Sequence, residues 1–296
     1  MTAAAQNADI PSIAITAETL PQAWEKAVLA VWDSGIEVKT EYDKPDSPPS
    51  RDATVMVTVT NPFAEPRIHK NFPGGPTELE AYRQEVVNGI HDHWIDPARG
   101  KWTYTYHERL FAYCPVENLR VADPPKPFGK VDQIQYLIDR LCRTGHSRRA
   151  QAVTWMPTAD PETEDPPCLQ RIWCRLVKNP AGRVNLNMNT HWRSRDLYKA
   201  WFMNVYAFTD LQRIIADRIA QKTDTPVGVG RYVDISDSLH IYGRYFKEVA
   251  AEVEKMRTTP YTDRAWETTH PAFRMMTAEA EEKLAKDPDW YAKAKS

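Results

Sequence analysis

The sequence predicts an α+β fold in which a mostly antiparallel or mixed sheet packs against several long helices. Two observations predict it. Short runs rich in β-branched residues are separated by proline or glycine, and longer segments carry apolar residues at helical spacing. The 296 residues show no internal repeat and no clear domain boundary. We therefore expect a single domain over residues 1–296.

The individual elements follow from hydropathy along the chain. Residues 1–18 predict a loose N-terminal tail, and the charged segment 277–296 predicts a helical tail on the surface. Helical spacing of apolar residues predicts helices at 21–34, 78–87, 131–142, 197–222 and from 246 onward. Apolar and β-branched alternation predicts strands at 54–60, 152–156, 172–177, 184–189 and 231–242.

Composition excludes several classes of protein. Lys and Arg total 38 against 40 Asp and Glu, so the chain lacks the basic excess of a nucleic-acid or anionic-lipid binder. No apolar run approaches the roughly 20 residues that span a bilayer, and the N-terminus does not resemble a signal peptide. We expect a cytoplasmic protein that needs neither a membrane nor a nucleic acid.

Phosphate and metal motifs are also missing. The 11 glycines form neither GxGxxG nor GxxxxGK[ST], so any bound phosphate must be held by arginines. The four cysteines show no CxxC spacing, and His91 and His93 have no cysteine near them in the sequence. We expect a solvated turn at these histidines and no metal.

Cys168 is the candidate nucleophile. Two prolines precede it at the start of a predicted strand, and a thiolate needs positive surroundings to form near neutral pH. Arg148, Arg149 and Arg193, the last followed by Ser194, supply guanidinium and hydroxyl groups that suit a phosphate. The structural alternatives are a buried small hydrophobe for the cysteine and a surface salt-bridge network for the arginines.

Three further polar residues suit a nucleotide. His240 and Tyr242 fall on one face of a predicted strand, where they bind a sugar hydroxyl or form a core pair. Asn204 interrupts an apolar helix. Its amide offers a donor and an acceptor for a pyrimidine edge, or it is a structural amide paired inside the core.

The order of these motifs resembles the thymidylate synthase superfamily, which includes deoxyuridylate and deoxycytidylate hydroxymethylases. The resemblance runs from about residue 54 to about residue 249. It rests on Arg148-Arg149, Trp155-Met156-Pro157, Pro166-Pro167-Cys168, Arg193-Ser194-x-Asp196, Asn204 and His240-x-Tyr242.

The resemblance implies covalent catalysis. The Cys168 thiolate attacks C6 of a pyrimidine nucleoside monophosphate, and C5 then captures the methylene carbon of 5,10-methylenetetrahydrofolate, the co-substrate. Arg193, Ser194 and Arg51 would hold the 5′-phosphate. Arg148 and Arg149 would reach in from the partner subunit, which implies a homodimer.

The resemblance implies the remaining roles as well. Asn204 would recognise the base edge, Asp196 would lie beside the base, and His240 and Tyr242 would bind the ribose hydroxyl. Glu78 would organise water and proton transfer, and Glu80 is the alternative residue for that role. Tyr106 would lie near the nucleophile. Trp94 and Asp196 would contact the folate.

Departures from the family pattern bear on the product. Leu169 replaces the usual histidine after the nucleophile, and His91 replaces a tryptophan that shields the methylating enzymes' intermediate from water. The chain also lacks the Pro-Val-Ala-Val tail of bacterial thymidylate synthases. The missing tryptophan shield and the missing tail favour hydroxymethylation of dUMP, dCMP or CMP. Methylation of dUMP to dTMP is the alternative reaction. Two hypotheses from other functional classes remain: a non-catalytic homologue that binds nucleotides or RNA, and a cysteine hydrolase.

Overall fold

The computed structural model describes residues 9–114 and 129–295. Its main sheet is mixed, as the sequence predicts. The strands of this sheet are β1 (Ser12–Ala17), β2 (Ile36–Val38), β3 (Ser50–Val59), β5 (Gln151–Val153), β6 (Leu169–Lys178), β7 (Val184–Trp192), β8 (Arg195–Asp196) and β9 (Val227–Ile241). A separate small pair joins β4 (Ile68–His69) to β10 (Ala265–Trp266).

The sheet order is β1-β3-β9-β7-β6-β5. β1 runs parallel to β3, and β7 runs parallel to β9, whereas β3 pairs antiparallel with β9 and β6 pairs antiparallel with β5 and β7. The short strands β2 and β8 pair with β3 and β9. This arrangement brings the end of β7, the strand β8 and the end of β9 together at one place.

The helices are α1 (Leu20–Ser34), α2 (Gly75–Asn88), α3 (Tyr106–Phe111), α4 (Gln133–Arg143), α5 (Trp201–Thr223), α6 (Phe246–Thr258), α7 (Tyr261–Arg264), α8 (Pro271–Lys286) and α9 (Trp290–Lys295). Helix α5 is buried along most of its length between the sheet and α2. The helices predicted at 21–34, 78–87, 131–142, 197–222 and after 246 correspond to α1, α2, α4, α5 and α6.

The strand register shows that the two faces of the sheet differ in burial. One cross-strand row is fully or almost fully buried on the helix side: Val57, Asp234, Thr190, Ile172 and Ala152. The neighbouring row is accessible to solvent on the opposite side: Met56, Ile235, His191, Arg171 and Val153. Because side chains alternate across a strand, the described helices cover one face and leave the other open.

The predicted loose tail is wrong for residues 12–17. This segment forms β1, which pairs in parallel with β3 from Ser12↔Thr54 to Ala17↔Val59. Its alternating sequence buries Ile15 and Ala17 against the core. The free energy gained by burying these apolar side chains stabilises the strand although its other residues are exposed. Residues 1–8 of the predicted tail lie outside the described residues.

The predicted C-terminal helix begins earlier than expected. Helix α8 starts at Pro271, and the side chain of His270 caps it by accepting the N–H of Ala272. Its inner face buries Phe273, Ala280 and Leu284, and the helix packs on α2. The segment is therefore a surface helix with one anchored face.

The glycines at 228 and 230 lie within β9 rather than in a phosphate loop. A Cβ at Gly228 would lie 2.7 Å from Oδ1 of Asn185, and one at Gly230 would lie 2.8 Å from Oδ1 of Asn187. Because these two glycines have no side chain, β9 can pair closely with β7 and still leave room for the side chains of Asn185 and Asn187. Within the described ranges, no helix is long and apolar enough to cross a membrane.

A buried ion pair links α3 to the loop that precedes β6. Arg109 donates from Nη2 to Asp160 at 2.8 Å and from Nη1 to Asp160 at 3.0 Å, and both side chains are at most 5% exposed. Oδ2 of Asp160 also accepts a hydrogen bond from the N–H of Met156 at 2.6 Å. This pair fixes the loop against the helix that begins at Tyr106.

We expect Asp160→Ala to lower the free energy of unfolding by about 3 kcal/mol, because it removes the two-pronged partner of the buried Arg109 guanidinium and leaves only Glu108, 3.5 Å from Nε, as a counter-charge. Urea unfolding followed by circular dichroism measures the loss. Asp217→Ala, which breaks the exposed pair with Arg213, is the control and should change stability far less. Equal losses in the two variants would contradict the structural role given to Asp160.

Candidate active site

A cavity of about 600 Å³ lies where β6 and β8 begin, β9 ends, and α3 and α5 start. Eight of the residues that the motifs predict line it: Tyr106, Cys168, Arg193, Ser194, Asp196, Asn204, His240 and Tyr242. Segments far apart in the chain thus bring a thiol, guanidinium groups, hydroxyls and an amide into one space.

Cys168 is held by its neighbours on both sides. The carbonyl of Cys168 accepts the N–H of Arg193 at 2.9 Å, and the Arg193 guanidinium donates to the carbonyls of Pro166 and Pro167 at 2.7 and 3.1 Å. Burial raises the pKa of the Cys168 thiol, Arg193 and Arg195 pull it down, and Asp165 raises it further. The arginines thus partly offset burial and favour the thiolate.

Tyr106 is the first residue of α3, and its neighbour Thr105 caps that helix. The Thr105 hydroxyl accepts the N–H of Glu108 at 2.9 Å and donates to Asp92, which also contacts Nδ1 of His107 at 2.7 Å. This anchoring places the Tyr106 hydroxyl 3.4 Å from the N–H of Leu169, next to the nucleophile. Burial raises the pKa of Tyr106 far above its ordinary value, so the phenol keeps its proton.

Asn204 lies in the first turn of α5 and is 6% exposed. Its Nδ2 donates to the hydroxyl of Tyr82 on α2 at 2.6 Å. Both residues line the cavity. The remaining amide hydrogen and Oδ1 are therefore the groups that Asn204 offers to a ligand.

His240 and Tyr242 lie side by side, with ring centroids 4.5 Å apart. Burial lowers the pKa of His240 to about 4, and its Nε2 is buried with no hydrogen-bond partner among the described residues. Burial raises the pKa of Tyr242 to about 12. A neutral imidazole nitrogen and a phenol are therefore available to a ligand hydroxyl.

Asp196 shapes the turn into α5. Its Oδ1 accepts the N–H groups of Tyr198 and Lys199 at 2.9 and 3.0 Å, and burial raises its pKa. The preceding Arg195 is fully enclosed: Nη2 contacts Asp234 at 2.5 Å, and the guanidinium stacks on Trp192 at 3.5 Å. Its Nε and Nη1 have no partner among the described residues.

A second cavity, of about 520 Å³, adjoins the first and shares Tyr106, Glu164 and Asp165 with it. Its other lining residues include Trp102, Tyr104, Lys101 and Glu85. Aromatic faces beside a lysine fit a flat heterocycle that carries a carboxylate. The residues present therefore fit a folate.

The Thymidylate synthase family model matches residues 74–279, which is more than half of the chain. This protein belongs to the thymidylate synthase family. A provisionally named thymidylate synthase of Methanococcoides burtonii is 27% identical over 229 residues, 77% of this chain and 88% of the relative. One of Methanothermobacter marburgensis is 29% identical over 255 residues, 81% and 97% of the two chains.

Solved structures agree on the fold. The thermostable thymidylate synthase A of Bacillus subtilis matches with a TM-score of 0.53 and 22% identity, covering 80% of this chain and 84% of that one. Members of the thymidylate synthase family are one-carbon transferases that use methylenetetrahydrofolate as co-substrate. The predicted superfamily, the α+β fold and the transferase class are thereby confirmed.

Several predicted residues lie outside the first cavity. The Arg51 guanidinium packs on Trp32 at 4.4 Å and donates to the carbonyl of Trp32, so it serves α1 rather than the cavity. Glu80 is paired with Arg83 at 2.6 Å, and Arg83 pairs in turn with Asp210 of α5 at 3.0 Å. Glu78 lies in the first turn of α2 and lines neither cavity.

The remaining predicted residues lie behind the second cavity or on the protein surface. Trp94 stacks on His91 at 3.7 Å and touches Trp102 edge-on at 4.8 Å, so it supports the second cavity from behind. Arg148 and Arg149 are exposed and line neither of the two cavities described above. Within residues 9–114 and 129–295, no group of three or more His, Cys, Asp or Glu is arranged to hold a metal.

Sequence reasoning missed several residues that line the cavities: Tyr42, Tyr82, Glu85, Glu164, Asp165, Arg195, Ala200 and Arg244. Tyr82 and Glu85 lie four and seven residues after Glu78 and share its face of α2, but only packing shows at which turn that face meets the cavities. Arg195 had a signal in its sequence, because it lies between the two motif residues Ser194 and Asp196.

Acid should destabilise this protein through His240. Its folded pKa of about 4 lies below the ordinary 6.5, so its contribution is complete above 6.5 and is lost as pH falls toward 4. Between about pH 7.5 and about pH 5, we expect the wild type to lose about 2 kcal/mol more of unfolding free energy than His240→Gln.

Urea unfolding at both pH values measures this difference. His146→Gln, at an exposed histidine, is the control and should follow the wild type. A His240→Gln variant with the same pH dependence as the wild type would show that the imidazole titrates normally.

Proposed function

We propose that this protein transfers a hydroxymethyl group to C5 of a pyrimidine nucleoside monophosphate, with 5,10-methylenetetrahydrofolate as co-substrate. The observation that carries the proposal is the convergence of Cys168, Arg193 and Asn204 on one cavity. A thiol, a phosphate-binding guanidinium and an amide are the groups that this reaction needs on a nucleotide.

Cys168 acts as the nucleophile. Its thiolate forms a bond to C6 of the base, and the electron pair of the C5–C6 double bond moves onto C5 and the neighbouring carbonyl. The guanidinium groups of Arg193 and Arg195 favour the thiolate before attack. C5 then bonds the methylene carbon and its proton passes to solvent. The bond from that carbon to the nitrogen of tetrahydrofolate breaks, and water adds its hydroxyl to the carbon. The sulfur finally leaves C6 and the C5–C6 double bond returns.

The nucleotide is held at three points. Arg193 and Ser194 bind the 5′-phosphate, and Asn204 pairs with the base edge. Tyr242 and the neutral His240 hydrogen-bond the ribose hydroxyl. The orphaned Nε2 of His240 supports this assignment, because a buried imidazole nitrogen without a partner costs stability until a ligand supplies one.

The second cavity receives the folate. Trp102 and Tyr104 offer aromatic faces, Lys101 offers a counter-charge, and Trp94 buttresses Trp102. When bound, the folate supplies the one-carbon unit. Tyr106, shared by both cavities, marks where the two substrates meet.

Water rather than hydride is the proposed final reactant. The carboxylates of Glu85, Glu164 and Asp165 line the second cavity, and carboxylates form strong hydrogen bonds with water. Glu85 Oε2 lies 2.8 Å from Nδ1 of His91, whose Nε2 lies 3.0 Å from the carbonyl of Pro288. The Glu85–His91 pair therefore places a hydrogen-bonded polar group at the cavity wall. We assign to Glu85 the water-organising role that the resemblance implied for Glu78.

The active form is proposed to be a homodimer. The accessible face of the sheet includes Met56 at 44%, Val153 at 38% and Val177 at 51% exposure, and a partner sheet would bury these side chains. Arg148 and Arg149 lie next to this face, since Trp173 on β6 donates to the carbonyl of Arg148. They would reach the partner's phosphate site. We also propose a single domain over residues 1–296 that works in the cytoplasm.

The product distinguishes the two one-carbon reactions. With methylenetetrahydrofolate and dUMP, dCMP or CMP, we expect a hydroxymethyl nucleotide by mass spectrometry and no rise in dihydrofolate absorbance. Cys168→Ala should bind nucleotide but form no product. A methylated nucleotide with dihydrofolate would instead establish a thymidylate synthase. Nucleotide binding without any turnover would favour a non-catalytic homologue.

Subunit mixing tests the shared site. Arg149→Ala and Cys168→Ala should each be nearly inactive as homodimers. Unfolding and refolding them together makes mixed dimers with one intact site, so about a quarter of wild-type activity should return. Each variant refolded alone is the control. Failure of the mixture to regain activity would mean that Arg149 does not act across the interface.

A further inference from the structure

We propose that Tyr82 is a specificity-determining residue, which holds the amide of Asn204 in the orientation that favours uracil over cytosine. This inference rests on the proposed function, because it concerns the base of the same nucleotide. Tyr82 acts through Asn204, and the contact that carries the argument is the 2.6 Å hydrogen bond from Nδ2 to the Tyr82 hydroxyl.

An amide has two ends that sterics barely distinguish, so its orientation is set by hydrogen bonds. In the orientation found here, Tyr82 takes one Nδ2 hydrogen. Oδ1 and the second Nδ2 hydrogen remain for a ligand. Rotation of the amide by half a turn would exchange Oδ1 and Nδ2 and reverse what the base meets.

The two bases need opposite ends of that amide. Uracil carries a hydrogen on N3 and therefore pairs with Oδ1, while its neighbouring carbonyl accepts from Nδ2. Cytosine has a lone pair on N3 and an amino group at C4, so it needs the reverse order. An amide held as found accepts from the N3–H of uracil and meets the lone pair of cytosine N3 unfavourably.

Burial and charge keep Tyr82 as the acceptor in this contact. Burial raises the pKa of Tyr82 well above its ordinary value, so its hydroxyl stays neutral. The negative charge of Glu85 and the positive charge of Arg195 both act on this hydroxyl. Glu85 attracts the hydroxyl proton and Arg195 has no lone pair to receive it, which leaves the oxygen lone pair facing Asn204.

The test compares dUMP with dCMP in the full-length wild type and in Tyr82→Phe. Calorimetry gives the two dissociation constants without folate, and turnover gives the ratio of kcat/KM values. We expect the wild type to prefer dUMP and Tyr82→Phe to reduce that preference about tenfold, as loss of one orienting hydrogen bond allows. Tyr261→Phe, which loses a hydroxyl contact with Thr19 far from the cavity, should keep the ratio.

A second background separates positioning from direct contact. In Asn204→Ala, removal of the Tyr82 hydroxyl should leave the dUMP-to-dCMP ratio unchanged, because the group it orients is gone. A wild type that prefers dCMP, an unchanged ratio in Tyr82→Phe, or an equal effect in the Asn204→Ala background would overturn the inference. Selective nucleotide binding without C5 transfer would overturn the proposed reaction alone. No binding of either nucleotide would overturn both.

Discussion

The ion pair between Arg195 and Asp234 is the interaction on which the cleft depends. Asp234 lies in the middle of β9 with no exposure, and Arg195 reaches it from β8. The other oxygen of Asp234 accepts the indole N–H of Trp201 at 3.1 Å, which anchors the first residue of α5. One carboxylate thus positions the strand that carries Ser194 and Asp196 relative to the helix that carries Asn204.

Burying such a pair costs desolvation that ideal geometry only partly recovers, so stability alone does not explain it. The cleft gives a better reason. Nε and Nη1 of Arg195 have no partner among the described residues, and the charge of Arg195 opposes the burial that raises the pKa of Cys168 and of Tyr82. A charge enclosed away from water acts strongly on its neighbours, because no solvent screens it. The buried pair thus brings positive charge to the cavity that Cys168 lines, at a cost in stability.

Much of this site was predictable because its chemistry follows the chain in short motifs. Pro166-Pro167-Cys168 and Arg193-Ser194 carry their own backbone constraints, so they predicted both a strand start and a reactive group. Tyr82 and Glu85 were not predictable in this way. They share the face of α2 that carries Glu78, and only the packing of α2 on α5 decides at which turn that face meets the cavities. Strand β1 was missed for a similar reason, since its stability comes from pairing with β3.

The same fold can carry either one-carbon reaction, so the choice of product must depend on a few side chains around the second cavity. A hydride route requires that water be kept from the reacting carbon, which apolar walls do best. Here the wall carries Glu85, paired with a buried histidine at 2.8 Å. That histidine also stacks on Trp94 and so places polar ring nitrogens among the aromatic residues behind the cavity. A wall with a carboxylate at this place binds water where an apolar wall would exclude it, and this difference is the physical basis of the proposed hydroxymethyl product.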